Sequence, residues 1–351
     1  MKRLVVCCDG TWNTADQKSP TNVARFHDSV SAVGDDGVEQ RRHYHPGVGT
    51  DWWDRWAGGA FGVGLSEVVL DAYRWVVANF EPGDELFFVG FSRGAYTARS
   101  MVGLIRNCGV LRAAEFGRVH EAYDLYRRRD DTSAPDEAEA MAFRQRYAHE
   151  TRIRFVGVWD TVGALGIPFS GNALVDRLNE PWHFHDTRLS STVDHARQAL
   201  AIDERRRPFA PAVWAPPTSD DVPRRQVWFP GVHSDVGGGY PERQLADVTL
   251  RWMVDGAADA GLAFRAGTPG VAPDAADSAV HTGTGCDPAH DSMTLFYRLL
   301  TPLSRVIGDV DPGTEAAAST ALSRRDNAAC GYAPENLRTY LAQAGSHVDK
   351  V

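Results

Sequence analysis

Nothing in this sequence approaches the roughly 18–20 consecutive apolar residues that carry a helix across a bilayer, so a helical membrane span is not expected. Positive charge is also short. Thirty-seven Lys and Arg stand against 46 Asp and Glu, a formal net charge of -9, which is not the basic excess that binds a phosphate backbone. Nucleic acid is therefore not an expected partner. Cysteine is sparse: Cys7, Cys8, Cys108, Cys286 and Cys330 are odd in number and show no C-x-x-C spacing. They read as reduced thiols, Cys7 and Cys8 in a core strand, with neither a structural disulfide nor a zinc site expected. Met1-Lys2-Arg3 resembles the basic start of a secretion signal, but only Leu4 to Cys8 follow before Asp9, short of the ~7–15 apolar residues such a signal needs. The expectation is a chain that begins at Met1 and stays in the cytoplasm, unless a route independent of a signal peptide exports it.

What is present is ordinary globular composition: 351 residues, 43% hydrophobic and 24% charged, enough for a sizeable core. Residues 3–9 read as a buried strand ending in the turn Asp9-Gly10-Thr11. A helix is expected over 20–32, capped by Thr21 or Asn22. From 65 to 80 the apolar positions Leu65, Val68, Val69, Ala72, Tyr73, Val76 and Phe80 share one helical stripe. Leu86–Val89 is a buried strand, and a helix follows over 93–107. Strands are read at 153–159 and 226–229, and helices at 246–262, 291–308 and 334–344. The Gly/Ala/Pro/Asp-rich stretch 266–290 has little to bury. Residues 112–150 are charged and helical in character, and 167–200 is irregular; both are read as cap insertions in a single domain spanning 1–351. Strands alternating with helices predict an α/β fold: a mainly parallel, α/β-hydrolase-like sheet covered by helices on both faces. In such sheets, active groups gather beyond the carboxyl ends of the strands.

Gly90-Phe91-Ser92-Arg93-Gly94 matches G-x-S-x-G. Chance alone supplies about 0.1–0.2 such matches in a chain this size, so the setting carries the weight. An apolar strand enters the motif and a helix leaves it, the arrangement a nucleophile elbow requires. Glycines on either side of the serine remove the Cβ atoms that would collide where strand crosses helix. The helix start then offers its dipole and the Arg93 N–H to a developing oxyanion. The plainer alternative is a glycine-rich turn with the serine as a helix cap.

A serine hydroxyl needs a base within reach, and the base needs a partner that fixes its tautomer. Of twelve histidines, His233 lies in a glycine-rich loop directly after a strand; His183, His185 and His195 lack a preceding strand, and His45 precedes Ser92 in sequence. Asp160 ends the strand Phe155–Trp159 at the correct rim and is the expected acid. Asp235, two residues from His233, is the alternative acid. A second oxyanion donor is expected from the backbone of Gly10 or Thr11. Asp9 orients that loop; its alternative role, metal binding with Asp235, has no further ligand cluster in support, so no metal and no cofactor are expected.

Five segments occur together in order: Cys8-Asp9-Gly10-Thr11-Trp12-Asn13, Pro46-Gly47-Val48-Gly49-Thr50, Gly90–Ala95, Trp159-Asp160-Thr161-Val162 and Pro230–Tyr240. With Ala201–Arg206 and Tyr332–Leu337, they resemble the family of α/β-hydrolase domains that includes the Tle1-like phospholipase effectors of type VI secretion. The resemblance runs from about residue 3 to 340. It implies a Ser–Asp–His triad on Ser92, Asp160 and His233 and, for the effector members, cleavage of phospholipid acyl esters. The expectation here is a bare domain, without the extra membrane-docking modules of larger effectors. The resulting expectation is a serine hydrolase of acyl-lipid esters, phospholipase A-like, making transient contact with a membrane surface. Trp52, Trp53, Trp56 and Phe61 form either an apolar rim for acyl chains or core packing. The alternatives are a soluble esterase or thioesterase of small acyl substrates, and a non-catalytic module that binds a partner through 112–150.

Overall fold

The computed structural model describes residues 1–351 except 12, 48–60, 129–132, 164–188, 217–222, 267–285, 288, 295–296 and 299–301. Its first strand, β1 (Arg3–Cys8), is buried along its whole length. Leu4, Val6 and Cys8 enter one core and Val5 and Cys7 another, the period-two alternation of a strand covered on both faces. Helix α1 (Asn22–Ser29) follows, its first turn capped by Thr21, whose hydroxyl accepts the Ala24 N–H at 3.2 Å. Then come β2 (Gln40–His45), α2 (Phe61–Asn79), β3 (Glu85–Phe91) and α3 (Arg93–Cys108). The predicted stripe of α2 is realised, with Leu65, Val69, Ala72, Tyr73 and Val76 buried.

Beyond a small antiparallel pair, β4 (Val110–Leu111) with β5 (Ala148–His149), the main sheet continues through β6 (Ile153–Trp159), β7 (Val193–Ala201), β8 (Arg224–Phe229), β9 (Glu315–Ala318) and β10 (Val348–Asp349). The order across it is β10-β9-β8-β7-β6-β3-β1-β2, and every neighbouring pair is parallel. Helices α2 and α3 pack on one face; α1 and a later helix, Gln244–Asp259, pack on the other. The architecture is therefore the expected α/β-hydrolase-like sheet with helices on both faces. From β1 the chain steps to β2 on one side and then to β3 on the other. In parallel sheets of this kind such a reversal, here at the carboxyl ends of β1 and β3, is where ligands bind. Among the described residues, no helix is long and apolar enough to cross a membrane.

Strands β2 and β7 escaped the sequence reading because much of their length is polar. Strand β2 is a polar edge, and the middle of β7 carries Arg197 and Gln198, which the fold satisfies singly. Arg197 lies over the Trp252 ring at 5.0 Å, and Gln198 donates to the Ala212 carbonyl at 3.0 Å. The carboxyl end of the insertion expected over 167–200 is thus a central strand, while 164–188 lies outside the described residues. Residues 291–294 and 302–306, expected within a helix, are irregular. The 112–150 segment forms α4 (Val119–Arg127) and α5 (Ala138–Tyr147) and docks on the last turn of α3. Asn107 donates to the Ser133 carbonyl at 3.1 Å and accepts Arg144 on its own carbonyl at 2.9 Å. That contact is about 20 Å of helix away from Ser92, at 1.5 Å per residue.

The cysteine expectation is corrected. Cys286 and Cys330 form a disulfide across 44 residues, with Cα atoms 4.7 Å apart, while Cys7, Cys8 and Cys108 are free and buried. An odd count and an absent local spacing say nothing about two thiols that the fold brings together from afar.

The glycines around Ser92 are sterically required. A Cβ on Gly94 would stand 2.1 Å from the Cys8 carbonyl oxygen, and one on Gly90 2.4 Å from the Gly94 carbonyl oxygen. Backbone cannot move aside as a flexible side chain does. Gly94→Ala is accordingly expected to lose stability at the upper end of the ~1–3 kcal/mol typical of overpacking, read as a fall in urea midpoint. A midpoint equal to that of the parent chain would refute the close approach of α3 to β1.

Candidate active site

Strand β3 delivers its last residue, Phe91, opposite Trp159 of β6, and the Ser92 N–H still donates to the Trp159 carbonyl at 3.0 Å. At Ser92 the backbone turns sharply, with φ 58° and ψ -122°, and α3 begins at the next residue. A serine held at positive φ costs of order 1–3 kcal/mol, which the surrounding structure must supply. Its side chain makes no capping hydrogen bond to the helix, so the plainer role of helix cap is not the one it plays. No hydrogen bond joins its hydroxyl to an imidazole among the described residues. Catalytic contacts of this type commonly tighten only with substrate in place.

Asp160 follows β6 directly, also at positive φ, 39°, and is fully buried. Its Oδ1 accepts the Ala201 N–H at 3.0 Å. His233 opens a short helix, α6 (His233–Gly237), just beyond β8, and its Nδ1 lies 2.6 Å from Asp160 Oδ2. The imidazole sits between two rings, with centroids 4.5 Å from Phe91 and 4.9 Å from Phe209. Phe91 immediately precedes Ser92, and all three residues read from the sequence lie just beyond the carboxyl ends of parallel strands of one sheet, with Asp160 and His233 bonded.

The rival acid is corrected by helix geometry. Asp235 lies two positions along α6, about 200° around the axis, and turns away from His233. It accepts the Val232 N–H at 2.9 Å and pairs with His290 Nδ1 at 2.6 Å. The loop donors are also sorted. The Gly10 N–H is already given to Asp9 Oδ1 at 2.7 Å, whereas the Thr11 hydroxyl is buried without a partner. The Gly10 N–H is thus engaged within its own loop in this structure, which speaks against it as an oxyanion donor. Asp9 itself takes Thr21 Oγ1 at 2.5 Å and Tyr44 Oη at 2.7 Å on its other oxygen, so it tethers the loop after β1 to α1 and β2. Of the aromatic cluster, Trp52, Trp53 and Trp56 lie outside the described residues, and Phe61 opens α2.

Two charged side chains that sequence reasoning missed complete the surroundings. Arg305, wholly buried, donates Nη1 to Asp160 Oδ1 at 2.6 Å and Nη2 to Oδ2 at 2.9 Å. Glu204, also wholly buried, accepts the His233 backbone N–H at 3.3 Å and pairs with Arg206 at 2.8 Å. Burial works against the charge on Asp160, but Arg305 and His233 outweigh it and hold the carboxyl well below the usual range. Burial likewise opposes charge on Glu204, and Arg206 overcomes it. For His233, burial prevails: it pushes the imidazole below its ordinary value although Asp160 pulls upward. Burial thus favours the neutral imidazole beside a charged carboxylate. One residue before Glu204, Asp203 accepts the Gly231 N–H at 2.6 Å and the Tyr332 hydroxyl at 3.0 Å; burial pushes its carboxyl up to about 6. It thereby fixes the turn that presents His233. Glu204 and Asp203 stood in a noted motif without an assigned task; Arg305 stood in none.

The family model described as "T6SS, Phospholipase effector Tle1-like, catalytic domain" matches residues 2–256. An uncharacterized protein of Saccharomyces cerevisiae, YEL023C, is 29% identical over 237 residues, 61% of this chain and 33% of its own length. Among solved structures, an uncharacterized protein from Pseudomonas aeruginosa is similar at 20% identity and TM-score 0.43, over 78% of this chain and 48% of that one. The Tle1 effector bound to the VgrG spike of the type 6 secretion system is similar at 19% identity and TM-score 0.37, over 69% and 52% respectively. The chain thus spans between a third and about half of the proteins it matches.

Proposed function

Because this chain belongs to the family of Tle1-like type VI secretion phospholipase effector catalytic domains, we propose that it is a serine hydrolase of carboxylic esters in acyl lipids, phospholipase A-like, working through an acyl-enzyme on Ser92. The observation that supports this reading most is the 2.6 Å bond between His233 Nδ1 and Asp160 beside a serine on a positive-φ elbow. His233 Nε2 takes the hydroxyl proton as Ser92 Oγ attacks the acyl carbonyl. The oxyanion is received by the Arg93 N–H at the start of α3 and by the Thr11 N–H, and His233 returns the proton to the departing alcohol. Water, activated by the same imidazole, then releases the fatty acid and frees Ser92. Phospholipid is the proposed substrate, a membrane surface the proposed point of contact, and export by a signal-independent secretion system the proposed route.

The test is fatty-acid release from phospholipid vesicles, set against hydrolysis of short p-nitrophenyl esters and labelling by a fluorophosphonate probe. Labelling at Ser92 with release from vesicles is the expected result. Labelling with short esters alone would move the reading to a soluble esterase, and no labelling at all would remove the hydrolase.

The depressed imidazole sets a pH expectation. His233 must be neutral to accept the proton, and its pKa lies below 6.5. Activity is therefore full above that value and falls as pH drops through it. A kcat/KM profile should show a one-proton acid limb with its midpoint below pH 6.5; a midpoint near 7 or higher would contradict a desolvated His233 as base.

A further inference from the structure

Arg305 is fully buried against Asp160, and it comes from outside the part of the chain that the family model matches, residues 2–256. Each of its terminal nitrogens divides its two N–H groups in the same way. Nη1 gives one to Asp160 Oδ1 at 2.6 Å and one to the Ala201 carbonyl at 2.8 Å. Nη2 gives one to Asp160 Oδ2 at 2.9 Å and one to the Phe209 carbonyl at 2.6 Å. The planar fork thus fixes the carboxylate in two directions, a geometry the single point charge of lysine does not reproduce. We propose that Arg305 is a positioning residue of the triad, which clamps the Asp160 carboxylate in the orientation that receives His233 Nδ1–H and offsets its negative charge so that the imidazole stays neutral. The inference rests on reading Ser92, His233 and Asp160 as the hydrolytic triad and adds the residue that sets its acid.

The wider surroundings agree. Two carboxylates face His233, and each is tied to a guanidinium: Asp160 to Arg305 and Glu204 to Arg206. The third acid nearby, Asp235 of α6, is turned to His290. Phe91 and Phe209 lie against the imidazole as apolar rings. With Asp160 and Glu204 each matched by a guanidinium, burial is free to hold the imidazole in its neutral form. Removing Arg305 leaves Asp160 unmatched beside His233, and an unmatched carboxylate draws a proton onto the imidazole. The carboxylate also gains freedom to rotate, and a displacement of about 1 Å at a catalytic group costs on the order of 100-fold in rate.

The experiment compares the full chain with Arg305→Met and Arg305→Lys, reading the His233 pKa by histidine 13Cε1 NMR and the kinetics by vesicle hydrolysis. Arg305→Met is expected to raise the His233 pKa by about one unit, tenfold in its protonation equilibrium, and to lower kcat by about 100-fold with KM little changed. Arg305→Lys should keep the wild-type pKa, since the charge remains, and lose about tenfold in kcat because the fork is gone. An unmoved pKa in Arg305→Met overturns the proposal even where thermal stability falls, since that is the mark of a merely structural arginine. Should Arg305→Met not fold, Arg305→Lys decides: wild-type kcat overturns the clamp, and reduced kcat at unchanged KM and pKa supports it. The NMR titration needs no turnover. A wild-type chain that neither releases fatty acid nor labels at Ser92 would sink the hydrolase while the titration still reports on Arg305.

Discussion

Ser92→Ala is expected to lower turnover of phospholipid by about four to six orders of magnitude while leaving the fold intact. The chemical half of this expectation is that the attacking oxygen belongs to Ser92. The serine follows β3 directly, and the ideal Cβ position of Gly10 lies 3.2 Å from its own Cβ, so the loop after β1 closes against it. The structural half follows from what the hydroxyl does not do: it caps no helix N–H, so its removal leaves no buried donor or acceptor unmatched. Alanine must still adopt φ 58°, but serine bears the same strain, so the difference is small. Fatty-acid release and urea unfolding, measured on the same preparation, check both halves. Residual activity within tenfold of the parent chain would mean that Ser92 is not the nucleophile. A large loss of stability would mean that the hydroxyl has a structural task.

The parts of this site that were legible in the sequence are those whose chemistry requires a local pattern. Ser92 shows because an elbow needs an apolar strand, flanking glycines and a helix within a few residues, and Asp160 shows because it ends a strand of continuous apolar character. His233 shows because glycines follow a strand. What was not legible is whatever depends on distant pairing. Arg305 meets Asp160 across 145 residues, and nothing near Arg305 marks it. Cys286 and Cys330 meet for the same reason. The contest between Asp160 and Asp235 turned on whether His233 begins a helix or a strand-like path; five residues of helix rotate Asp235 to the far side. Strand β7 was hidden because its polar side chains find individual partners, so its burial left no apolar signature. The sheet and the placing of Ser92, Asp160 and His233 at its rim were thus open to periodicity and local motif, and the charged side chains packed behind Asp160 and His233 were not.

That support is what Asp160→Asn disturbs, with an expected loss of about 10⁴ in kcat. Three donors converge on the carboxylate: the Ala201 N–H, the Arg305 fork and His233 Nδ1–H. An asparagine side chain has one acceptor oxygen and one donor nitrogen. If the amide oxygen turns to Arg305, the NH2 faces His233 Nδ1, which must then act as acceptor. The imidazole proton moves to Nε2, and the base is lost to Ser92. If the amide turns the other way, its N–H groups point at a buried guanidinium. Either orientation leaves Arg305 without its counter-charge, so a stability loss of about 3–5 kcal/mol is expected as well, the usual consequence of removing one partner from a buried pair. The two losses separate in the double variant Asp160→Asn/Arg305→Met. With the buried cation gone, part of the stability returns, while turnover does not, because the carboxylate that fixes the tautomer is still absent. Recovery of activity along with stability would mean that Asp160 serves His233 only as scaffolding, and the acid of the triad would have to be sought elsewhere.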